Sequence, residues 1–257
     1  MGPKASSELL VTRRRLLMLT LLMASLFLLA VIKMQIAEKA LQLSATINEA
    51  VQTSFGEAFW TGPPKVGIQV GHLNTQNHPE ELSNLRYNTG GHAGDVYEVD
   101  INQAVAVMLH DMLEVEGVSA EVLPATVNPN YKADVFISIH ADSSPDQARR
   151  GYKSAHFRTP RNSKEPSLKS HVDNAYFYFT GLPDDDDNVS GSMLEYYAFN
   201  RTKYRHAVST KTPSLIVELG YISNPHDLEM ISDPVYPAYA LKMGIIDYLK
   251  EQGRLLN

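Results

Sequence analysis

Four ionisable side chains stand at positions from which they could share one metal-dependent reaction. His72 and His140 each follow a short apolar run, Glu218 ends another, and Glu98 opens a long helical pattern. The carboxyl ends of parallel strands form one rim of an open α/β sheet, so side chains placed there converge. Two histidines and a carboxylate can hold zinc and leave a position for water, and the remaining carboxylate could then act as a general base.

Each of these residues also has an ordinary structural explanation. A histidine at a strand end is often only a loop residue, and the chain has nine histidines, so chance placements occur. A glutamate at a helix start is favourable because of the helix dipole alone. Glu218 is harder to explain in this way. It directly follows Leu215, Ile216 and Val217, and a carboxylate is costly to bury without a metal, a proton or a hydrogen-bond donor.

The chain beyond residue 64 alternates between strand-like and helix-like patterns, which predicts an α/β domain. Two of the predicted strands are nearly continuous apolar runs, typical of strands buried on both faces. The predicted strands are Val66–Val70, Ser119–Leu123, Asp134–Ile139 and Ser214–Leu219, and the predicted helices are Glu98–Leu113, Ser167–Tyr178 and Tyr236–Gln252.

The N-terminal part differs from this domain in composition. Leu16–Ile32 is an uncharged, almost wholly apolar run, preceded by three arginines and closed by Lys33. Such a run predicts a transmembrane signal-anchor that sends the rest of the chain across the membrane. Cleavage of the segment, with secretion of the domain, is the alternative. The predicted organisation is a basic cytoplasmic N-terminus at 1–15, the signal-anchor at 16–33, a helical stalk at 34–64 and the globular domain at 65–257.

Composition excludes several function classes. The chain has no cysteine, so any metal must be held by histidines and carboxylates. The formal net charge is −6, and the first 33 residues hold five basic residues against one acidic residue, which leaves −10 for the rest (−6 − 4). An acidic body is a poor match for a phosphate backbone, so we expect no nucleic-acid partner. A run of four acids, Asp184–Asp187, predicts a solvated loop.

Over about residues 65 to 252 the chain resembles the zinc-dependent N-acetylmuramoyl-L-alanine amidases of the amidase_3 family. The resemblance rests on blocks that occur in the family's order, and the third and fourth are long enough to be specific. The blocks are Val66–His72, Glu98 with Asn102 and Ala106 on its helix, Ala133–Asp142, and Thr212–Asn224.

Carried over by position, the resemblance implies that His72, Glu98 and His140 bind zinc and that Glu218 is the catalytic carboxylate. It implies a mixed, mostly parallel central sheet flanked by helices. It also implies a peptidoglycan substrate, cleaved at the amide between the lactyl group of N-acetylmuramic acid and L-alanine. Glu218 would accept a proton from zinc-activated water and return it to the leaving amine.

The first block departs from the family pattern. Gln69 and Val70 precede Gly71 where the family commonly has an acidic residue and a proline, and two glycines are missing after His72. The loop after this block contains other side chains that could compete for the metal. Glu98 is preferred because it heads the predicted helix, after a glycine pair that suits a tight approach. The competing side chains are His78, Glu80, Glu81 and His92.

Substrate contacts and partners are less constrained by the sequence. The cluster Glu195–Arg201 combines aromatic and amide groups that could line a groove for a glycan or peptide stem, and Asn200 and Arg86 are weak substrate-binding candidates. The N-terminal helix predicts attachment to the cell membrane with the domain on the extracytoplasmic side. A protein activator is compatible with the sequence but not indicated by it. The alternatives to an amidase are an inactive peptidoglycan-binding or regulatory relative and a zinc peptidase acting on another stem-peptide bond.

Overall fold

The computed structural model describes residues 62–256 and four residues before them. The chain divides into two compact units, Met1–Thr61 and Gly62–Asn257. The predicted cytoplasmic N-terminus, nearly all of the signal-anchor and most of the stalk lie outside the described residues. Among the helices that are described, none is long and apolar enough to cross a membrane. The four described residues of the first unit, all helical, are Ile32, Lys33, Gln35 and Lys39.

The second unit is built from short strands and helices that alternate along the chain. The strands are β1 Lys65–Val70, β2 His92–Ala93, β3 Val96–Tyr97, β4 Ser119–Leu123, β5 Val135–Asp142, β6 Lys153–Ala155 and β7 Ser214–Tyr221. The helices are α1 Glu98–Val115, α2 Glu165–Thr180, α3 Gly191–Leu194, α4 Pro225–Ser232 and α5 Val235–Glu251, with 3-10 turns at Thr75–Asn77, Glu80–Leu85, Asp186–Asn188 and Tyr197–Phe199.

A five-stranded sheet runs through this unit in the order β4-β1-β5-β7-β6. The first four of these strands are mutually parallel, and β6 pairs antiparallel to β7. The predicted mixed, mostly parallel sheet is therefore confirmed. The three central strands are buried on both faces, which is why they are continuous apolar runs in the sequence.

The two faces of the sheet are covered differently. Helices α1, α2 and α5 pack on one face and bury apolar positions three or four residues apart, such as Val105, Leu109 and Leu113 of α1. The other face is covered mainly by the segment 189–208, through residues that include Tyr196 and Phe199. Successive side chains of a strand point to opposite faces of the sheet, so every second residue packs against the helices and the residues between them pack against the segment 189–208.

The structure differs from the predicted elements in the ends of two strands and in elements that the sequence pattern does not indicate, among them β6 and α4. β5 and β7 run two to three residues beyond their predicted ends, to Asp142 and Tyr221, and carry the candidate site residues within the strands. β6 was missed because three residues give no periodic signal. α4 was also missed, although Asn224 caps it through its side chain and Pro225 stands at its first turn.

Candidate metal centre

Three of the predicted ligands meet at the carboxyl edge of the sheet. His72, Glu98 and His140 each offer one donor atom, and these atoms all lie within 4.8 Å of one another. Glu98 Oε1 lies 3.3 Å from His72 Nε2 and 3.1 Å from His140 Nδ1. Within the described residues this is the one group of three or more histidines, aspartates and glutamates with that geometry.

Glycines allow this close approach. Gly71 follows β1, and a Cβ atom there would lie 2.5 Å from the His140 ring. Gly90 has a φ of +80°, and a Cβ atom there would fall on the carboxylate of Glu98. The backbone of His72 has a φ of 66°, in the left-handed region that residues other than glycine rarely adopt. The backbone after β1 and the backbone before α1 therefore both have conformations that let the ligand side chains come close together.

Glu98 is the first residue of α1 and is held by several donors. The Gly91 amide donates to its Oε2 at 2.7 Å, and the Ala141 amide and Asn102 Nδ2 donate to its Oε1 at 3.3 Å. Burial favours the protonated form, but the hydrogen bonds from His140 and His72 outweigh it and hold the pKa of Glu98 well below its ordinary value. The carboxylate is therefore ionised, as a metal ligand must be.

Each histidine makes a second hydrogen bond on the side away from Glu98. His72 Nδ1 donates to the Asn88 carbonyl at 3.1 Å, and His140 Nε2 lies 3.1 Å from the Tyr196 hydroxyl. Burial lowers the pKa of His140, and the hydrogen bond and charge of Glu98 only partly oppose this effect. Burial also acts to lower the pKa of His72, but there the hydrogen bond and charge of Glu98 are stronger and the pKa is raised. Ligand histidines in proteins are typically oriented by such outer hydrogen bonds.

This donor set fits zinc. Two imidazoles and one carboxylate, with one side open to a pocket, are the ligands of catalytic zinc sites. The four side chains of the loop after β1 that could compete for the metal are not part of this ligand group. His78 Nδ1 contacts Thr126 Oγ1, Glu80 pairs with Arg86, Glu81 binds His206, and His92 is exposed.

Glu218 lies beside the centre without contacting it through a hydrogen bond. In the parallel pairing of β5 and β7 it stands directly opposite His140. Its Oε2 is shielded from solvent and has no hydrogen-bond partner among the described residues. Burial, together with the charges of Glu98 and Asp142, raises the pKa of Glu218 well above its ordinary value, and Lys153 opposes this. A raised carboxyl pKa is typical of a group that exchanges protons in a reaction.

A buried lysine cluster behind Glu218 was not predicted. Lys153 pairs with Glu218 across β6 and β7, is only 2% exposed, and binds the carboxylates of Asp142 and Asp185 and the Tyr221 hydroxyl. The prediction that the acidic run is a solvated loop is therefore wrong for Asp185, which is buried because it neutralises this lysine. Burial opposes the charge, but Asp142 and the Tyr221 hydroxyl outweigh it and raise the pKa of Lys153.

A pocket of about 360 Å³ opens onto the centre and includes His72, His140 and Glu218 in its lining. One wall is the loop after β1, and the other is the segment 192–204. Neither weak substrate candidate lines it: Arg86 donates to the His78 carbonyl and to Glu80, and Asn200 caps a turn through Thr202 and Lys203. The polar and aromatic wall residues are Thr75, His78, Asn84, Asn88, Ser192, Glu195, Tyr196, Tyr197 and Tyr204.

A carboxylate clasp joins the two walls of this pocket. Glu81 accepts hydrogen bonds from the backbone amides of Arg205 and His206 and from His206 Nδ1. Slight burial opposes ionisation, but these donors outweigh it and lower the pKa of Glu81 below its ordinary 4.5. A lowered carboxyl pKa contributes stability above the unfolded value, and this contribution disappears as pH falls through the folded value.

We therefore expect Glu81→Gln to lower the melting temperature at neutral pH, because the amide turns a donor toward backbone N–H groups. The difference from the unsubstituted protein should close as pH falls below about 4.5, where Glu81 itself becomes protonated. Thermal melts followed by circular dichroism across this range measure it. Glu80→Gln is the control, because Glu80 is exposed and pairs only with Arg86. An equal difference at all pH values would contradict this role of the clasp.

Comparisons with known proteins agree with one another. The profile of the Amidase_3 family, described as N-acetylmuramoyl-L-alanine amidase, matches residues 66–247. A probable cell wall amidase, LytH of Staphylococcus epidermidis, is 28% identical over 122 residues. That alignment covers 48% of this chain and 36% of LytH, so the chain matches about a third of that relative's length.

Solved structures show the same fold. The N-acetylmuramyl-L-alanine amidase Ami1 of Mycobacterium smegmatis superposes with a TM-score of 0.54 at 19% identity, over 74% of this chain and 99% of that one. The CwlD amidase of Clostridioides difficile, solved in complex with the GerS lipoprotein, gives 0.52 at 15% identity, over 73% and 99%. At these identities the likeness concerns the fold.

Proposed function

Because this chain belongs to the Amidase_3 family of N-acetylmuramoyl-L-alanine amidases, we propose that it hydrolyses the amide between the lactyl group of N-acetylmuramic acid and L-alanine in peptidoglycan. The observation that carries the proposal is the convergence of His72, Glu98 and His140 beside a pocket that His72, His140 and Glu218 line. The first three residues hold the metal, and the fourth handles the proton.

The proposed chemistry divides between the metal and the protein. Zinc, when bound by the three ligands, supplies an activated water near neutral pH and polarises the substrate carbonyl. Glu218 accepts the proton of the attacking water and delivers it to the amide nitrogen as the C–N bond breaks. Its raised pKa suits both halves of this transfer, because the carboxyl group can keep the proton until the amine leaves.

The pocket also suits a peptide stem joined to a sugar. Its volume of about 360 Å³ is within the range for small-molecule sites. Tyr197 and Tyr204 offer apolar ring faces, and Asn84 and Asn88 offer amide groups on the opposite wall. Exposed glycan strands could cross the open side while the lactyl-alanine amide enters toward Glu218.

We further propose that the domain works outside the cytoplasmic membrane, tethered through residues 16–33. Support comes from the sequence, where three arginines precede the apolar run. Peptidoglycan lies outside the cytoplasmic membrane, so this orientation places the pocket on the side of its substrate. A signal peptide that is cleaved after export would satisfy the same requirement.

Two other functions remain as outcomes of the test. An inactive peptidoglycan-binding relative is disfavoured because all four positions carry competent side chains, three of them grouped as possible metal ligands and three lining one pocket. A zinc peptidase would use the same centre on another stem-peptide bond. The released products distinguish it, since an amidase exposes new L-alanine amino termini on peptides and leaves the glycan with free lactyl carboxylates.

The test is digestion of purified peptidoglycan by the full-length chain in detergent. We expect about one zinc per chain by elemental analysis and new L-alanine amino termini by end-group labelling. A strong chelator should abolish their appearance, and added zinc should restore it, because the three ligands release the ion reversibly. Bound zinc without cleavage would favour a binding protein, and free single amino acids would favour a peptidase. A chain that binds no metal would overturn the proposal.

A further inference from the structure

A buried hydroxyl lies on the far side of His140 from the metal ligands. We propose that Tyr196 is a positioning residue that fixes the His140 proton on Nε2, so that His140 offers Nδ1 to the metal while His72 offers Nε2. This inference rests on the proposed zinc centre. It adds a residue outside the ligand set and states which ring nitrogen each histidine uses.

The Ala125 backbone carbonyl oxygen can only accept hydrogen bonds, and it fixes the orientation of the Gln69 amide. The Ala125 backbone carbonyl lies 2.5 Å from one end of the Gln69 amide, so that end must be the NH₂ group. The Tyr197 hydroxyl donates to the same carbonyl at 2.6 Å and accepts from Gln69 at 3.2 Å. The orientation of the Gln69 amide is therefore fixed from two sides, and its Oε1 faces Tyr196.

The Gln69 orientation then fixes the Tyr196 proton. A tyrosine hydroxyl has one proton to donate, and Gln69 Oε1, at 3.0 Å, can only accept it. Tyr196 must consequently act as an acceptor toward its other close neighbours. These are Ser138 Oγ at 3.0 Å and His140 Nε2 at 3.1 Å. The Tyr197 hydroxyl lies farther away, at 3.4 Å, and gives its own proton to the Ala125 carbonyl. Because Tyr196 can only accept, His140 offers its proton there on Nε2. Nδ1, 3.1 Å from Glu98 Oε1, is then the nitrogen whose lone pair a metal held beside Glu98 would take in place of that hydrogen bond.

Burial makes this arrangement rigid. Gln69 and Ser138 are fully buried, and Tyr196 is 7% exposed, so these hydrogen bonds are largely shielded from solvent. The Tyr196 ring packs edge-on against His140, with centroids 5.6 Å apart, and holds the imidazole plane.

His72 is set in the opposite sense by a different partner. Its Nδ1 lies 3.1 Å from the Asn88 carbonyl, which can only accept, so Nδ1 carries the proton and Nε2 faces Glu98. The two histidines therefore approach the centre through different nitrogens, each chosen by an acceptor on its outer side. Outer partners of this kind typically contribute about 10–100-fold to metal affinity.

The experiment uses the full-length chain in detergent, labelled with ¹⁵N-histidine and loaded with zinc. Long-range ¹H–¹⁵N correlation spectra distinguish a metal-bound Nδ1 from a metal-bound Nε2, and His140→Gln assigns the His140 signals. We expect His140 to bind through Nδ1 with a proton on Nε2, and His72 to bind through Nε2. Tyr196→Phe should weaken zinc affinity about 10–100-fold in a chelator competition.

Tyr131→Phe is the matched control. Tyr131 is 7% exposed, as Tyr196 is, but its hydroxyl donates to Glu121 at 2.9 Å, so zinc affinity and the His140 signals should stay as in the unsubstituted chain. Coordination of His140 through Nε2, or equal zinc affinity in the two phenylalanine variants, would overturn the inference and leave the proposed function standing. Failure of the unsubstituted chain to bind zinc would overturn both.

Discussion

Replacing Glu218 with glutamine should abolish peptidoglycan cleavage while zinc still binds. The amide has nearly the same shape but cannot accept a proton from water, and loss of a general base typically costs about 10²–10⁴-fold in rate. The fold should tolerate the change, because Oε2 of Glu218 is buried without a hydrogen-bond partner, so no existing bond to it is broken. Removing a carboxyl group whose pKa is raised by burial also removes an unfavourable charge.

Release of L-alanine amino termini measures the rate, and elemental analysis measures the zinc. Glu195→Gln is the matched control, since Glu195 lines the same pocket but is exposed and pairs with Arg158. We expect this control to keep activity within a few-fold. A Glu218→Gln variant that retains its zinc and most of its activity would show that another group accepts the proton.

Replacing Lys153 with methionine should destabilise the domain by about 3–5 kcal/mol, the usual cost of removing one partner from a buried ion pair. Lys153 is 2% exposed, and its loss would leave Asp185 buried with no neutralising cation close to it. Asp142 is less affected because about a third of its side chain reaches solvent. The raised pKa of Lys153 means that its contribution is complete at neutral pH and is lost only as pH rises above its ordinary 10.5.

Urea unfolding followed by circular dichroism measures the free energy of unfolding. Lys242→Met is the control, because Lys242 pairs with the exposed Glu116, and surface pairs contribute at most about 1 kcal/mol. The double variant Lys153→Met, Asp185→Asn should recover part of the loss, because it removes the stranded charge. If the single variant is as stable as the Lys242 control, the buried cluster does not stabilise the fold in this way.

This lysine cluster also links stability to the proposed chemistry. Lys153 stands across from Glu218 in the pairing of β6 and β7 and opposes the rise in the pKa of Glu218. The Lys153→Met variant should therefore affect both unfolding and catalysis. The Lys153→Met, Asp185→Asn variant separates the two effects, since it restores charge balance without restoring the cation near Glu218.

The amino-acid sequence was enough to predict the α/β fold with its mostly parallel sheet, and the four residues that it singles out lie close together at the candidate site. Parallel strands buried on both faces leave long apolar runs in the sequence, and His72, His140 and Glu218 stand where those apolar runs stop. Glu98 is singled out by its place at the start of α1. The glycine pair before it predicts that the backbone approaches its side chain closely, and Gly90 does lie against the Glu98 carboxylate. These signals are local, because strand ends and helix starts are defined by neighbouring residues.

The surroundings of those positions became known only from the folded chain. Gln69 and Tyr196 are hydrogen-bonded although 127 positions separate them, and Lys153 and Asp185 are 32 positions apart. Arg86 and Asn200 were chosen as substrate candidates for their chemical type, yet both satisfy local backbone and side-chain partners. Strand pairing and the packing of segment 189–208 on one sheet face bring such residues together, and no short-range pattern in the chain records which distant groups will meet.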